Sequence, residues 1–193
     1  MKNIVILISG SGSNMAAIIQ TAESQNWPTK FNARIAAVIS NKIVANGLAL
    51  ASELNIATDC VDHTVFATRE AFDAELMLRI DAYAPVLVIL AGFMRILTST
   101  FVTHYAGRLV NIHPSLLPAF TGLNTHQRAI DAGCKVAGAT VHLVTAQLDI
   151  GPILAQVEVP ILPSDTASVL AARVQAQEYL IYPQAIAKLL AEM

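Results

Sequence analysis

Asn111 and His113, at the end of an apolar run, are the side chains with the clearest potential for chemistry. Alternate residues of a strand point to the same face, so their Cβ atoms should lie about 6 to 7 Å apart on one side. An asparagine amide can donate to a developing oxyanion, and an imidazole can donate or accept a proton near neutral pH. No serine or cysteine lies in a nucleophile-elbow sequence, which favours direct attack by a substrate amine. The pair therefore indicates acyl transfer, and the alternative is a polar strand end that only satisfies the loop backbone.

Asp149 is the one ionisable residue between positions 146 and 152, in a turn that joins two strand candidates. An acid close to a histidine favours the protonated imidazole and can order a water for proton relay. A turn aspartate without a chemical role is the alternative. His142, on the strand before this turn, either lines the same pocket or is a buried structural histidine.

Residues 10–14, Gly-Ser-Gly-Ser-Asn, lie between a strand candidate and a helix candidate. The N–H groups of such a turn and the positive end of the helix dipole make an anion site, and glycine lets a phosphate approach closely. No lysine follows as in a Walker A loop, and Met15 occupies the third glycine position of a dinucleotide fingerprint. The pattern therefore predicts a monophosphate site, and the alternative is a turn in which Ser13 or Asn14 caps the helix.

Three other polar side chains are weaker candidates. Arg95 directly follows the most apolar strand candidate, where either a ligand would dock or an arginine stem would pack. Gln175 and Glu178 are i, i+3 neighbours on one face of the last helix, for which a solvated face is the default interpretation. The scattered histidines lack the spacing of metal ligands, so no metal is expected.

The elements that position these residues alternate between short apolar runs and longer helical patterns. The runs lack the alternation of a half-solvated strand, which predicts an open, mostly parallel twisted α/β sheet with helices on both faces. Ligands of such a sheet bind at the carboxyl ends of its strands. Strands are predicted at residues 4–8, 35–39, 86–90, 109–113, 136–144 and 153–159. Helices are predicted at residues 15–22, at 45–54, at 98–105, in a short segment ending at Gly133, and from just after 164–165 to the C-terminus.

Composition argues against several classes of function. Of the 193 residues, 54% are hydrophobic and only 13% are charged, and the net charge of −2 provides no basic field for a nucleic acid. The longest purely apolar run, residues 86–94, is far shorter than the roughly 20 residues of a membrane helix. Two widely separated cysteines favour a reducing cytoplasm, and the length suits a single domain over residues 1–193.

Four ordered motifs resemble those of the phosphoribosylglycinamide formyltransferases, a folate-dependent family of purine biosynthesis. The motifs are residues 8–14 (Ile-Ser-Gly-Ser-Gly-Ser-Asn), 91–97 (Ala-Gly-Phe-Met-Arg-Ile-Leu), 111–118 (Asn-Ile-His-Pro-Ser-Leu-Leu-Pro) and 148–152 (Leu-Asp-Ile-Gly-Pro). The resemblance covers essentially the whole chain. It implies a Rossmann-like formyltransferase fold, with formyl transfer from 10-formyltetrahydrofolate to the amine of 5-phosphoribosylglycinamide.

The same resemblance implies roles for individual positions. Asn111 and protonated His113 would stabilise a tetrahedral oxyanion, and Asp149 would assist proton transfer through a water, so these three would be catalytic. The residues that bind phosphoribosylglycinamide would be Gly12, Ser13, Asn14, Met15, Ala16, Gln175 and Glu178. The residues that bind folate would be Arg69, Met94, Arg95, Ile96, Leu97, Asn111, Thr145, Ala146, Gln147, Leu148 and Asp149. Two small-molecule substrates are implied, with no metal, nucleic-acid or membrane partner.

Three features depart from the family pattern. Ile150 replaces an expected glycine, and residues 146–147 replace a more acidic pair, which changes the shape and charge expected of the folate loop. Asn124 stands where relatives often have histidine.

Leu117–Pro118, next to the catalytic residues, is a candidate cis bond.

Other folate formyl enzymes with the same Asn, His and Asp pattern are the nearest rivals. Methionyl-tRNA formyltransferase adds an RNA-contacting domain and formyltetrahydrofolate deformylase adds a regulatory one, and we expect 193 residues to hold neither. A rival from a different class is a non-catalytic nucleotide-binding module of the same fold. The intact set of Asn111, His113 and Asp149 argues against that module.

Overall fold

The computed structural model describes residues 1–193, in which seven strands and seven α-helices follow one another along the chain. The strands are β1 (Lys2–Ile8), β2 (Ala33–Ser40), β3 (Ala57–Cys60), β4 (Pro85–Leu90), β5 (Leu109–His113), β6 (Val136–Leu143) and β7 (Ile153–Pro160). The helices are α1 (Ser13–Ser24), α2 (Trp27–Phe31), α3 (Asn46–Glu53), α4 (Arg69–Asp81), α5 (Ser99–His104), α6 (Thr125–Asp131) and α7 (Ala167–Glu192).

All seven strands form one sheet in the order β3-β2-β1-β4-β5-β6-β7. The first five strands of that order pair in parallel, and β6 and β7 add two antiparallel pairings at one edge. The prediction of an open, mostly parallel sheet is therefore confirmed. Strands β2 and β3 lie on one side of β1, in chain order. The next two strands along the chain, β4 and β5, lie on the other side of β1. The carboxyl ends of β1 and β4 flank this change of direction, which is where open α/β sheets bind ligands.

Strand β1 is buried on both faces of the sheet. Ile4, Ile6 and Ile8 belong to one apolar layer, while Val5 and Leu7 belong to the layer on the opposite face, and all five side chains are fully buried. Successive side chains of a strand point to opposite faces, so a strand covered by helices on both sides needs apolar residues at every position. This arrangement explains the uninterrupted apolar runs of the sequence.

The sequence-based prediction omits α2, β3 and α4. Strand β3 lies at the edge of the sheet, and its residues are exposed or half-buried, so no apolar run marks it. Helix α4 buries Phe72, Leu76 and Ile80 at a spacing of four residues, between charged side chains that obscure the pattern. Its start does carry a sequence signal, because the Thr68 side chain accepts a hydrogen bond from the N–H of Ala71 at 3.2 Å.

Helix α7 begins where the sequence predicts a helix, with Thr166 Oγ1 accepting from the N–H of Val169 at 3.3 Å. The helix has 26 residues and packs against α1. No helix, α7 included, combines the length with the apolar composition that a membrane crossing requires. The packing of α7 on α1 joins the first and last parts of the chain beside the carboxyl end of β1.

Candidate active site

His113, the last residue of β5, is buried and held through both ring nitrogens. Its Nε2 lies 3.0 Å from the carbonyl oxygen of Phe120, and because a carbonyl can only accept, Nε2 carries a proton and donates it. The other nitrogen, Nδ1, lies 3.5 Å from Asp149 Oδ2. The loop that follows β5 therefore orients the imidazole so that Nδ1 is the nitrogen that faces the acid.

Asp149 is buried in the loop between β6 and β7, in the left-handed backbone region with φ of 56°. Aspartate tolerates this region better than most residues. Its Oδ2 accepts a hydrogen bond from the N–H of Gly122 at 2.9 Å, and its Oδ1 lies 3.9 Å from His142 Nε2. The carboxylate thus lies between two histidines and is fixed by a backbone donor from a third segment.

Asn111 lies opposite His142 in the antiparallel pairing of β5 with β6. His142 is buried, and burial lowers its pKa, so the ring is neutral near pH 7. Its Nδ1 donates to the carbonyl oxygen of Leu143 at 3.0 Å, which leaves Nε2 as an acceptor 3.4 Å from Asn111 Nδ2. This contact turns the Asn111 amide nitrogen toward His142 and leaves its second N–H free of protein acceptors. His142, which the sequence left open between two roles, therefore contacts the candidate catalytic residue.

The segment after His113 is supported by β6 and β7. Thr140 Oγ1 donates to the carbonyl oxygen of Ser115 at 2.7 Å and accepts from the N–H of Leu117 at 3.1 Å. Gln156 Nε2 donates to Thr140 Oγ1 at 2.8 Å and to the carbonyl oxygen of Leu117 at 3.1 Å. The bond between Leu117 and Pro118 is cis, as the sequence suggested. These contacts position the segment that in turn orients His113.

The predicted anion site lies at the amino end of α1. Gly12 precedes the helix with φ of 74°, and no side chain caps the helix, so the alternative in which Ser13 or Asn14 serves as the cap is wrong. The N–H groups at this end are therefore free, except that the N–H of Ala16 donates to the carbonyl oxygen of Gly12 at 2.8 Å. Met15 is fully buried, and its side chain packs against Gly12. The free N–H groups and the positive end of the helix dipole favour a bound phosphate.

Helix α7 brings Gln175 and Glu178 to this same end of α1. Gln175 Nε2 lies 3.4 Å from Ser13 Oγ, and Asn14 Nδ2 donates to Glu178 Oε2 at 2.8 Å. Glu178 is buried, and burial raises its pKa. The solvated face suggested by spacing alone is therefore wrong for Glu178, and the position implied by the family resemblance agrees with the contact.

The predicted folate-binding residues 94–97 follow β4 on the other side of the cleft. Met94 and Ile96 are 70% and 64% exposed, so this segment presents apolar surface to solvent. Arg95 has a buried Nε without a hydrogen-bond partner, and its guanidinium carbon lies 6.0 Å from the centre of the Phe72 ring. Arg69, at the start of α4, is exposed.

Residues 145–148 are exposed and lead into the buried Asp149. Within this stretch Thr145 Oγ1 donates to the carbonyl oxygen of Gln147 at 3.1 Å, while Ala146 and Leu148 project from the surface. No group of three or more His, Cys, Asp or Glu side chains has the arrangement of a metal site. The candidate site thus consists of an uncapped helix end, an exposed apolar segment, and a group formed by half-buried Asn111 with buried His113 and Asp149.

Comparisons with known proteins identify relatives of the whole chain. The formyl transferase family model matches residues 2–186. Phosphoribosylglycinamide formyltransferase of Escherichia coli is 50% identical over 95% of this chain and 85% of that protein. The trifunctional purine biosynthetic protein adenosine-3 of Drosophila melanogaster is 43% identical over 97% of this chain, which spans 14% of that protein.

A solved structure gives the same result for the fold. The crystal structure of phosphoribosylglycinamide formyltransferase from Brucella melitensis is 50% identical, and it matches 100% of this chain and 97% of its own with a TM-score of 0.91. The resemblance that the four sequence motifs indicate is therefore confirmed. The chain belongs to the formyl transferase family.

Proposed function

We propose that this protein transfers the formyl group of 10-formyltetrahydrofolate to the amine of 5-phosphoribosylglycinamide, a step of purine biosynthesis. The observation that carries the proposal is the group of half-buried Asn111 and buried His113 and Asp149 between an uncapped helix end and an exposed apolar segment. The names of the relatives support this choice of substrates over those of other formyl enzymes. The protein acts as an enzyme of the transferase class.

The amino end of α1 is the proposed site for the phosphate of phosphoribosylglycinamide. The main-chain N–H groups of Ser13, Asn14 and Met15 supply donors, and Gly12, with φ of 74°, leads the chain into this helix end. The Glu178 carboxylate, already paired with Asn14, can accept hydrogen bonds from ribose hydroxyls. Gln175, beside Ser13, would contact the same nucleotide.

Residues 94–97 are the proposed binding edge for the folate. Met94 and Ile96 provide apolar surface for its ring system, and the main chain of this segment has N–H and C=O groups left over for hydrogen bonds with the ring. Arg95 and Arg69 supply positive charge for the carboxylates at the far end of the molecule. Residues 145–149 would close over the ring from the opposite side.

The bound folate supplies an activated formyl group, and the surrounding side chains act on the reacting atoms. The substrate amine forms a new C–N bond to the formyl carbon, and the carbonyl oxygen becomes an oxyanion. The free N–H of Asn111 donates to that oxygen, and the His113 imidazole, oriented by Phe120 and Asp149, stabilises it. The C–N bond to the folate then breaks, and Asp149 assists transfer of one proton, through a water, from the amine to the departing nitrogen.

The remaining parts of the proposal concern domain organisation, location in the cell and partners. Residues 1–193 act as one domain on two small molecules in the cytoplasm, and neither a nucleic acid nor a membrane is a partner. The net charge of −2 is consistent with small-molecule chemistry. No protein side chain has to form a covalent bond to the formyl group.

An absorbance assay of folate release tests the proposal and separates it from deformylation. The purified protein is mixed with 10-formyltetrahydrofolate, with and without 5-phosphoribosylglycinamide. We expect release only when the amine is present. Release at the same rate without the amine would indicate a deformylase, and binding of both ligands without release would indicate a non-catalytic module.

A further inference from the structure

Residues 92–97 are held in place by unusually few polar contacts. The sheet pairing ends where the N–H of Ala91 donates to the carbonyl oxygen of Leu7 at 2.9 Å, and residues 92–97 make no backbone–backbone hydrogen bond. The main chain of this segment makes one hydrogen bond to the rest of the protein, in which the N–H of Met94 donates to Ser9 Oγ at 2.7 Å. Because Met94 itself is 70% exposed, apolar packing at this residue adds little.

The hydroxyl of Ser9 is oriented by a second buried residue. Ser9 Oγ donates to Asn41 Oδ1 at 2.5 Å, and the two residues are 5% and 0% exposed. A serine hydroxyl has a single proton, so donating it to Asn41 turns the oxygen lone pairs toward Met94. His63 Nδ1 lies 2.8 Å from the carbonyl oxygen of Asn41 and donates to it, which fixes Asn41 just beyond the end of β2.

The far end of the segment has an independent attachment. Asp73 Oδ2 accepts a hydrogen bond from the N–H of Thr98 at 2.6 Å, and Asp73 is 1% exposed. Thr98 also caps α5, since its side chain accepts from the N–H of Phe101. Loss of the Ser9 contact should therefore loosen residues 92–97 without detaching them from the protein.

We propose that Ser9, oriented by Asn41, is a positioning residue for folate binding: its hydroxyl fixes the Met94 amide and so places the folate-facing segment against the cleft. The inference rests on the proposed function, because it assumes that residues 94–97 bind the folate. Ser9 lies directly after β1, beside β4, and it precedes the anion-binding loop. It does not touch the reacting atoms, so it acts on binding through Met94.

Ser40 provides a matched control for the variant Ser9→Ala. Ser40 is also a buried serine at the carboxyl end of a parallel strand, but its hydroxyl bonds only to the main chain of Lys42, at 3.0 Å. We expect Ser9→Ala to raise the KM for 10-formyltetrahydrofolate roughly five- to tenfold. The KM for 5-phosphoribosylglycinamide should stay unchanged in both variants, and Ser40→Ala should leave both KM values unchanged.

Two further measurements keep the inference testable. Ser9→Cys retains a side chain of similar shape but accepts hydrogen bonds weakly, so it should shift the folate KM in the same direction even if Ser9→Ala folds poorly. Calorimetric titration with tetrahydrofolate should show weaker binding to both Ser9 variants than to the wild type. A folate KM that stays at the wild-type value, or a shift that Ser40→Ala reproduces, would overturn the role of Ser9. Failure of the wild type to release folate in response to the amine would instead overturn the proposed function.

Discussion

The side-chain amide of Asn14 donates a hydrogen bond to the carboxylate of Glu178 at 2.8 Å, joining the first turn of α1 to the middle of α7. Glu178 is buried, and a buried carboxylate is unfavourable unless it is well paired. Asn14 supplies one donor, and its own Oδ1 is buried without a partner. The pair is therefore incompletely satisfied within the protein, which fits its place in the proposed nucleotide site.

Glu178→Gln should weaken binding of 5-phosphoribosylglycinamide. Glutamine can still accept from Asn14, but it loses the charge that strengthens hydrogen bonds from ribose hydroxyls. We expect the KM for this substrate to rise about tenfold, because hydrogen bonds to charged groups contribute roughly 1.5 to 3 kcal/mol. The KM for the folate should not change. Steady-state kinetics checks this, and Glu158→Gln, on β7, is a control at an exposed carboxylate.

The same substitution should stabilise the protein at neutral pH. Burial raises the pKa of Glu178 above its ordinary value of 4.5, so the unfolded chain releases the proton more readily than the folded protein. The contribution of the protonated Glu178 side chain to the free energy of unfolding is therefore fully present below that value. It is lost as the pH rises through the raised pKa. Chemical denaturation should show Glu178→Gln to be more stable than the wild type at pH 7, with the difference shrinking toward pH 4. An equal difference at both pH values would contradict this.

Gly12→Ala should impair nucleotide binding more than a substitution with the same backbone strain elsewhere in the chain. Gly12 has φ of 74°, and an added Cβ would lie 2.9 Å from the Cα of Gly47. Gly107 has φ of 78° with open space around it, so Gly107→Ala carries the same conformational penalty of about 1 kcal/mol without the contact. We expect Gly12→Ala alone to raise the KM for 5-phosphoribosylglycinamide. Equal effects of the two variants on this KM would count against a phosphate site at α1.

His142→Gln should make the free energy of unfolding depend less strongly on pH between pH 8 and pH 5. Burial lowers the pKa of His142 from its ordinary value of 6.5, so the unfolded chain binds the proton more readily than the folded protein. This contribution to stability is fully present above pH 6.5 and is lost as the pH falls toward the lowered pKa. Denaturation curves between pH 8 and pH 5 should fall less steeply for His142→Gln than for the wild type. Parallel curves would show that His142 is not the neutral buried acceptor described above.

Much of this fold could be predicted from the sequence because its physical causes are local. The apolar run at residues 4–8 reflects a strand covered on both faces, and the glycine at position 12 reflects a backbone with positive φ. The predicted strand at Leu109–His113 agrees with β5 at both ends. Edge strand β3 carries no comparable signal, since Ala57–Cys60 is not enclosed.

The contacts that complete the candidate site are not local, and the sequence shows them only indirectly. Ser9 meets Met94 across 85 residues, and Asn111 meets His142 across 31, so no spacing rule connects them. The second contact follows from the register of β5 with β6, and the first from the adjacency of β1 and β4, and both depend on the folded sheet. The family resemblance predicted a role for Glu178 beside Asn14, where the structure buries it, when helical periodicity alone favoured solvent.

Turnover by Asn111→Ala tests the central claim most directly. An oxyanion donor contributes about 3 to 4 kcal/mol in measured cases, so kcat should fall by about two orders of magnitude or more. Thermal unfolding and calorimetric titration with each substrate should show that the variant folds and still binds both ligands. Formyl transfer to 5-phosphoribosylglycinamide at a near-normal rate by the folded variant would contradict the assignment of Asn111, and with it the proposed mechanism.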